Sequence, residues 1–256
     1  MHAMDDFSSL KAFLLIIGNA RSGSTVLGSI INAHPNALIA NETSLSGNLW
    51  NSTTRESILQ TIASQAIQPN PDKILPSGYK FQFCKDSPKI DQVLLIGEKV
   101  WNPATLFLHG KHSLLTDLST QMQLPLLILH AVRNPFDTIS TMHIRSGAPL
   151  HDRIRWYFMH CEAVQAISDR YSSQSFKHVY HEALLLNPIV EIKSLMNFLN
   201  LTLIDSYIEK IKNALFTFPN ESSKKVVWSE EDRQEVLHRM EQFEFLKFYL
   251  RAENQL

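Results

Sequence analysis

Cysteine is scarce in this 256-residue chain. Only Cys84 and Cys161 occur, too few for a disulfide framework, so a reducing compartment is expected. An excess of one charge is also missing. The 24 basic and 25 acidic residues leave a formal net charge of −1, which argues against a general nucleic-acid or membrane-surface binder. Positive charge that matters must then be local. The early apolar run Phe13-Leu14-Leu15-Ile16-Ile17 is too short to span a bilayer, and Asp5 and Asp6 stand where a signal peptide carries cations. A cytoplasmic location is therefore expected. No internal repeat or low-complexity tract stands out, and no His, Cys and Asp cluster has metal-ligand spacing. Four Asn-x-Ser/Thr sequons, at Asn41, Asn51, Asn200 and Asn220, are read as accidental in such a location.

What is present is core-forming material. Apolar residues make up 44% and charged residues 19%, enough for one large α/β domain spanning 1–256. Short runs rich in Ile, Leu and Val alternate with longer helical stretches, the pattern of a parallel sheet flanked by helices. Strands are expected near 12–17, 37–40, 93–96, 126–132 and 177–181. Helices are expected near 25–33, 54–68, 102–121, 135–146, 150–172, 188–199, 204–216 and 229–240. In the fifth of these, Ile154, Phe158, Cys161, Val164, Ile167 and Tyr171 recur at three- and four-residue steps and form one buried stripe. Ser229 with Asp232 reads as a capping pair. Segment 68–77 holds three prolines and reads as a loop.

The most informative stretch is Gly18-Asn19-Ala20-Arg21-Ser22-Gly23-Ser24-Thr25, set between the first strand and an apolar helical pattern. Strand, small-residue loop and helix N-terminus together make a phosphate cradle of backbone N–H groups. Gly18 and Gly23 match the spacing of a Walker A loop, yet Ser24 stands where its lysine belongs and the cation is Arg21. A second anion site is expected at Arg133-Asn134-Pro135. There an arginine ends a central strand, and Pro135 opens a helix carrying Asp137, Thr141 and Arg145 on one face.

These two segments resemble the signatures of the PAPS-dependent sulfotransferase family, over roughly residues 12–245. The first is similar to its phosphosulfate loop, usually Arg or Lys followed by Ser-Gly-Ser/Thr-Thr, with His34-Pro35 closing the next helix. The second is similar to its Arg-Asn-Pro segment, whose arginine, with a serine eight positions later, grips the 3′-phosphate of PAPS. Eight from Arg133 is Thr141, with Ser140 beside it. Arg145 matches a further phosphate-contacting arginine of the tyrosylprotein branch. The resemblance implies a P-loop-like three-layer α/β fold, PAPS as donor, PAP as product and no metal. Arg21, Ser22, Gly23, Ser24 and Thr25 would bind the 5′ end. Arg133, Thr141 and Arg145 would bind the 3′-phosphate.

Sulfuryl transfer needs an acceptor deprotonated as it attacks, and positive charge on the oxygens of the group in flight. Glu42, in Asn41-Glu42-Thr43, resembles the second glutamate of a Glu-Glu-Thr segment that supplies the base in the tyrosylprotein branch. The first glutamate is Asn41 here, and an arginine that follows Thr43 in that branch is Ser44. Lys99 resembles the lysine of a Lys-x-Pro segment that stabilises the sulfonate together with Arg21. Tyr180 would line the nucleotide pocket, and Lys224 with Lys225 would fold over the 3′-phosphate. His112, His130 and His143 are weaker candidates for a base. Trp50, Trp101, Trp156 and the loop at 68–77 are candidates for an acceptor pocket. The expected acceptor is a small molecule bearing a hydroxyl, an amine or a similar nucleophile; neither nucleic acid nor a membrane is expected as a partner. Two rivals remain open at this point: a nucleotide kinase with a degenerate loop, and a nucleotide-binding protein without activity. The sequence leaves the oligomeric state open.

Overall fold

A computed structural model of the chain describes residues 7–43, 54–67, 90–111, 113–215 and 220–253. Cys84, Trp50, His112 and the loop at 68–77 lie outside the described residues.

Five strands are described: β1 (Ala12–Gly18), β2 (Ala37–Asn41), β3 (Leu95–Lys99), β4 (Leu126–Val132) and β5 (Phe176–Tyr180). All pair in parallel, in the order β2-β3-β1-β4-β5. Parallel strands are covered on both faces, and β1 is buried along its whole length. Its side chains alternate between two cores. Phe13, Leu15 and Ile17 join α2 (Arg55–Ile67), α3 (Asn102–Gly110) and α4 (Leu114–Met122) on one face. Leu14 and Ile16 join α1 (Ser24–Asn32), α8 (Pro188–Leu199) and α9 (Asp205–Ala214) on the other. The result is the expected three-layer α/β architecture.

A third core lies beyond the β4 end. There α5 (Pro135–Ser146) and α6 (Leu150–Ser168) pack with Val236 and Met240 of α10 (Glu230–Met240) and with Phe243, Phe245 and Tyr249. Ile154, Phe158, Cys161, Val164 and Ile167 are buried as the stripe on α6 requires; Tyr171 lies past the helix end and is half-buried. Ser229 Oγ accepts the Asp232 N–H at 3.1 Å, capping α10.

Two boundaries differ from expectation for physical reasons. The expected helix at 102–121 is two helices. Gly110, a poor helix former, ends α3, and Lys111 has left helical geometry at φ −118°, ψ 84°. The strand expected at 93–96 runs instead to Lys99, because pairing with β1 through Ile16↔Lys99 and with β2 through Asn41↔Lys99 continues past the apolar residues. Glu98 and Lys99 are both buried there. The short helix α7 (His181–Leu186) and the terminal α11 (Lys247–Glu253) were not expected.

His130 on β4 and His178 on β5 face each other with their Nδ1 atoms 2.9 Å apart, and Phe245 lies 5.0 Å from both rings. Burial pushes both rings below the usual histidine range, His178 to about 4 with Lys177 adding to the effect, and His130 is disfavoured further by His178. The folded state therefore holds neutral rings. The contribution of His178 is complete above the unfolded value of about 6.5 and is lost as pH falls towards about 4, and that of His130 has the same sign. For a ring held near 4 that is of order 3 kcal/mol. Urea unfolding at pH 7.5 and pH 4.5 should show this loss, and His178→Phe should reduce the dependence, with the remainder left to His130, His160 and His181, which burial also holds down. An equally steep dependence in that variant would remove the pair as its source.

Candidate active site

The sheet order puts a crevice at the carboxyl ends of the strands. From β1 the chain crosses to β2 on one side, and β4 lies on the other, so β1 ends at a topological switch. Register then aligns the loops: Gly18 lies beside Ala131, and Asn41 beside Lys99. A cavity of about 720 Å3 opens at this edge, lined by both candidate phosphate segments as well as by Glu42 and Lys99.

The loop after β1 is wound by three residues with positive φ: Gly18 at 147°, Arg21 at 72° and Gly23 at 88°. Gly23 has a second reason to be glycine. A Cβ there would come within 2.5 Å of His181 Nδ1, so the loop closes directly against that ring. His181 is 7% exposed, and burial together with the Arg133 guanidinium pushes it down to about 4, leaving a neutral imidazole against the loop. Gly23→Ala should reduce nucleotide affinity at least roughly tenfold, through strain at positive φ and through the clash. Adding His181→Ala should restore only the steric part; unchanged affinity in the single variant would deny the loop this role.

Neighbouring side chains lock the loop. Asn19 Nδ2 donates to the Tyr157 carbonyl of α6 at 3.2 Å, and Asn102 Nδ2 donates to the Gly18 carbonyl at 3.0 Å. Arg133, 5% exposed, donates from Nη1 to the Arg21 carbonyl at 3.1 Å and from Nη2 to the Asn220 carbonyl. One guanidinium thus ties the first phosphate segment to a later loop, and its buried Nε has no hydrogen-bond partner. Behind it, Glu182 accepts the Asn134 N–H at 3.0 Å and the Tyr249 hydroxyl at 2.5 Å. Asn134 in turn caps α5, its Oδ1 accepting the Asp137 N–H at 3.2 Å.

On α5 the hydroxyls divide. Thr141 lines the cavity, and its Oγ1 reaches the Asp137 carbonyl at 2.7 Å and Ser222 Oγ at 2.9 Å. Ser140 is fully buried and accepts the Trp228 indole N–H at 3.2 Å, so it faces the core. Arg145 lines the cavity and is exposed.

At the other end, Lys99 Nζ forms an ion pair with Glu42 Oε1. Glu42 sits at φ 55°, its N–H donating to the Lys99 carbonyl at 2.8 Å. The next residue, Thr43, is anchored by the fully buried Glu98, which accepts both its N–H and its hydroxyl. Glu42 is therefore held between two fixed neighbours, with its own carboxylate partly exposed to the cavity.

Of the expected site residues, Arg21, Gly23, Ser24, Thr25, Glu42, Lys99, Arg133, Thr141 and Arg145 are brought together on one cavity. Four are not. Ser22 is buried beneath the turn, its N–H spent on the Asn19 carbonyl and its Oγ without a partner. Tyr180 packs against Phe248 and Tyr249 instead of lining the cavity. Lys224 pairs with Glu221 at 2.6 Å on the surface, and Lys225 donates to the Asn220 side chain at 3.2 Å. From that loop Asn220 reaches the cavity in their place. His143 binds the Ala148 carbonyl at the end of α5, and His130 is held by His178, so neither lines the cavity. Asn220, His181 and Arg153 line it without having been expected there. None of the three is singled out by a signature, and only the folded chain brings them onto the cavity.

A parallel five-stranded sheet flanked by helices, with both candidate phosphate segments on one cavity, is a P-loop-like α/β fold. The sulfotransferase domain model matches residues 12–247, and the chain belongs to the sulfotransferase family that its two signature segments resemble. Among solved structures, the sulfotransferase domain from the curacin biosynthetic pathway is 13% identical, with 92% of this chain and 99% of that one covered and a TM-score of 0.58. Sulfotransferase STF9 of Mycobacterium avium is 10% identical over 92% of this chain and 77% of that one, at a TM-score of 0.52. The sulfotransferase domain of the Synechococcus PCC 7002 olefin synthase is 15% identical over 91% and 86%, at 0.51. At these identities the likeness is one of fold. A comparison with curated proteins finds no match. Among the described residues no helix is long and apolar enough to cross a membrane, and no group of three or more His, Cys, Asp or Glu side chains is placed to hold a metal ion.

Proposed function

We propose that this sulfotransferase moves the sulfonate of PAPS to a hydroxyl, amine or similar nucleophile on a diffusible small molecule in the cytoplasm, without a metal. The observation that carries the reading is the shared cavity, with the Glu42–Lys99 pair at one end and Arg133 with Thr141 at the other. The lining fits a ligand with several negative charges. Arg21, Lys99, Arg133 and Arg145 line the cavity beside Glu42, and the guanidinium of Arg133, whose buried Nε has no hydrogen-bond partner, suits a phosphate.

PAPS supplies an activated sulfonate whose leaving group is PAP. Around it the chain's residues have separable tasks. The loop from Gly18 to Thr25 and the start of α1 hold the 5′ end by backbone amides. Arg133, Thr141 and Arg145 hold the 3′-phosphate. Glu42 accepts the acceptor's proton, and Lys99 places its ammonium beside the sulfonate oxygens. A kinase would need a lysine where Ser24 begins α1. Calorimetric titration with PAP and with Mg-ATP tests this. PAP should bind at least about a hundredfold more tightly, as expected when a second phosphate gains charged partners. Equal affinity, or preference for Mg-ATP, would overturn this assignment of the cavity to PAPS.

A further inference from the structure

One cation of the cavity has no task in the scheme above. Arg153 lines it from the opening turn of α6, and its half-buried side chain has an Nε that is buried and without a hydrogen-bond partner. Among the described residues it forms no ion pair. The acid next to it, Asp152, is engaged by His151 at 3.3 Å. The position is costly for a cation, because the opening turn of a helix already carries partial positive charge. A partly dehydrated guanidinium in that field calls for an anion from outside the chain.

In the scheme above the donor does not supply that anion. Its 5′ end is served by the loop, Arg21 and Lys99, and its 3′-phosphate by Arg133, Thr141 and Arg145. Arg153 lines the cavity together with Trp101, Pro103 and Trp156. Trp156 stands one turn further along α6 and spends its indole N–H on Asn102 Oδ1 at 3.4 Å, leaving its ring as an apolar surface. Trp101 is 54% exposed. Indole surface next to an unpaired guanidinium is a recognition site for a molecule with an apolar body and an acidic group.

Resting on the sulfotransfer reading, we propose that the acceptor carries an anionic group, a carboxylate or a phosphate ester, that pairs with Arg153 while its nucleophile faces Glu42. The test uses the full chain saturated with PAP and titrates it calorimetrically with acetate and with inorganic phosphate. One saturable site for at least one of the two anions is expected. It should weaken at least roughly tenfold in Arg153→Gln and persist in Arg153→Lys, with PAP affinity within about twofold of wild type in both. The anion that binds more tightly identifies the acidic group as carboxylate or phosphate. Absence of a saturable anion site in the PAP-loaded wild type would overturn the inference alone. So would a tenfold loss of PAP affinity in Arg153→Gln, which would assign the guanidinium to the donor. Failure of the wild type to bind PAP at all would overturn the sulfotransfer reading, and this inference with it.

Discussion

Glu42→Gln is expected to slow sulfonate transfer by about 10²- to 10⁴-fold, the usual worth of a positioned general base, while PAP binds as before. The amide is isosteric with the carboxylate but cannot take a proton from the acceptor. The surroundings of Glu42 make the substitution a clean probe. Its backbone is fixed by the Lys99 carbonyl, and Thr43 is fixed by Glu98, so the loop should keep its shape. Lys99 loses its ion-pair partner yet keeps its place on β3. Transfer from labelled PAPS across a panel of hydroxyl and amine acceptors, with PAP affinity measured alongside, reads out both halves. Near-wild-type turnover in the variant would remove Glu42 from the base role, whatever the acceptor.

Arg133→Ala should weaken PAP binding by about a hundredfold, near 2.7 kcal/mol, and should cost stability as well. The loss has two sources. The 3′-phosphate loses a charge-assisted, forked partner. The Arg21 and Asn220 carbonyls lose the guanidinium that joins them, so the 5′ cradle and the loop at Asn220 come apart together. Arg133→Lys should recover only part of the affinity, because one ammonium cannot reproduce a planar fork aimed at two carbonyls and a ligand. Adenosine 5′-phosphate, which lacks the 3′ group, should bind wild type and Arg133→Ala with a smaller difference than PAP does. If both nucleotides lose affinity equally, Arg133 acts only by shaping the loop.

The sequence discloses those parts of the site that depend on consecutive residues. Gly18 to Thr25 and Arg133 to Arg145 each form one strand–loop–helix unit, so spacing alone conveys their shape. The continuous apolar run of β1 marks a strand buried on both faces, but which side chain enters which core is visible only in the fold. Legibility ends where a residue's role depends on a distant partner. Glu98 carries no signal in the sequence, and the ion pair of Lys99 is equally invisible there; only Thr43 and Glu42 across the strand pair explain their burial. Lys224 and Lys225 look like anion ligands, but on the folded surface they turn to Glu221 and Asn220. Tyr180 looks like a nucleotide contact, yet the aromatic residues of α11, a helix with no strong signal of its own, draw it into packing. His181 has no role of its own in the sequence beside Tyr180; its meaning comes from a glycine far away in the chain that leaves room for its ring.

A crystal structure of the PAP complex bears most directly on whether one pocket joins donor and base. The 3′-phosphate should lie within hydrogen-bond distance of Arg133 and Thr141, and the 5′-phosphate on the amides between Gly18 and Thr25, with Glu42 and Lys99 facing its free oxygens. PAP bound so that Glu42 opens to the far side of the sheet, or with its 3′-phosphate away from Arg133, would contradict it.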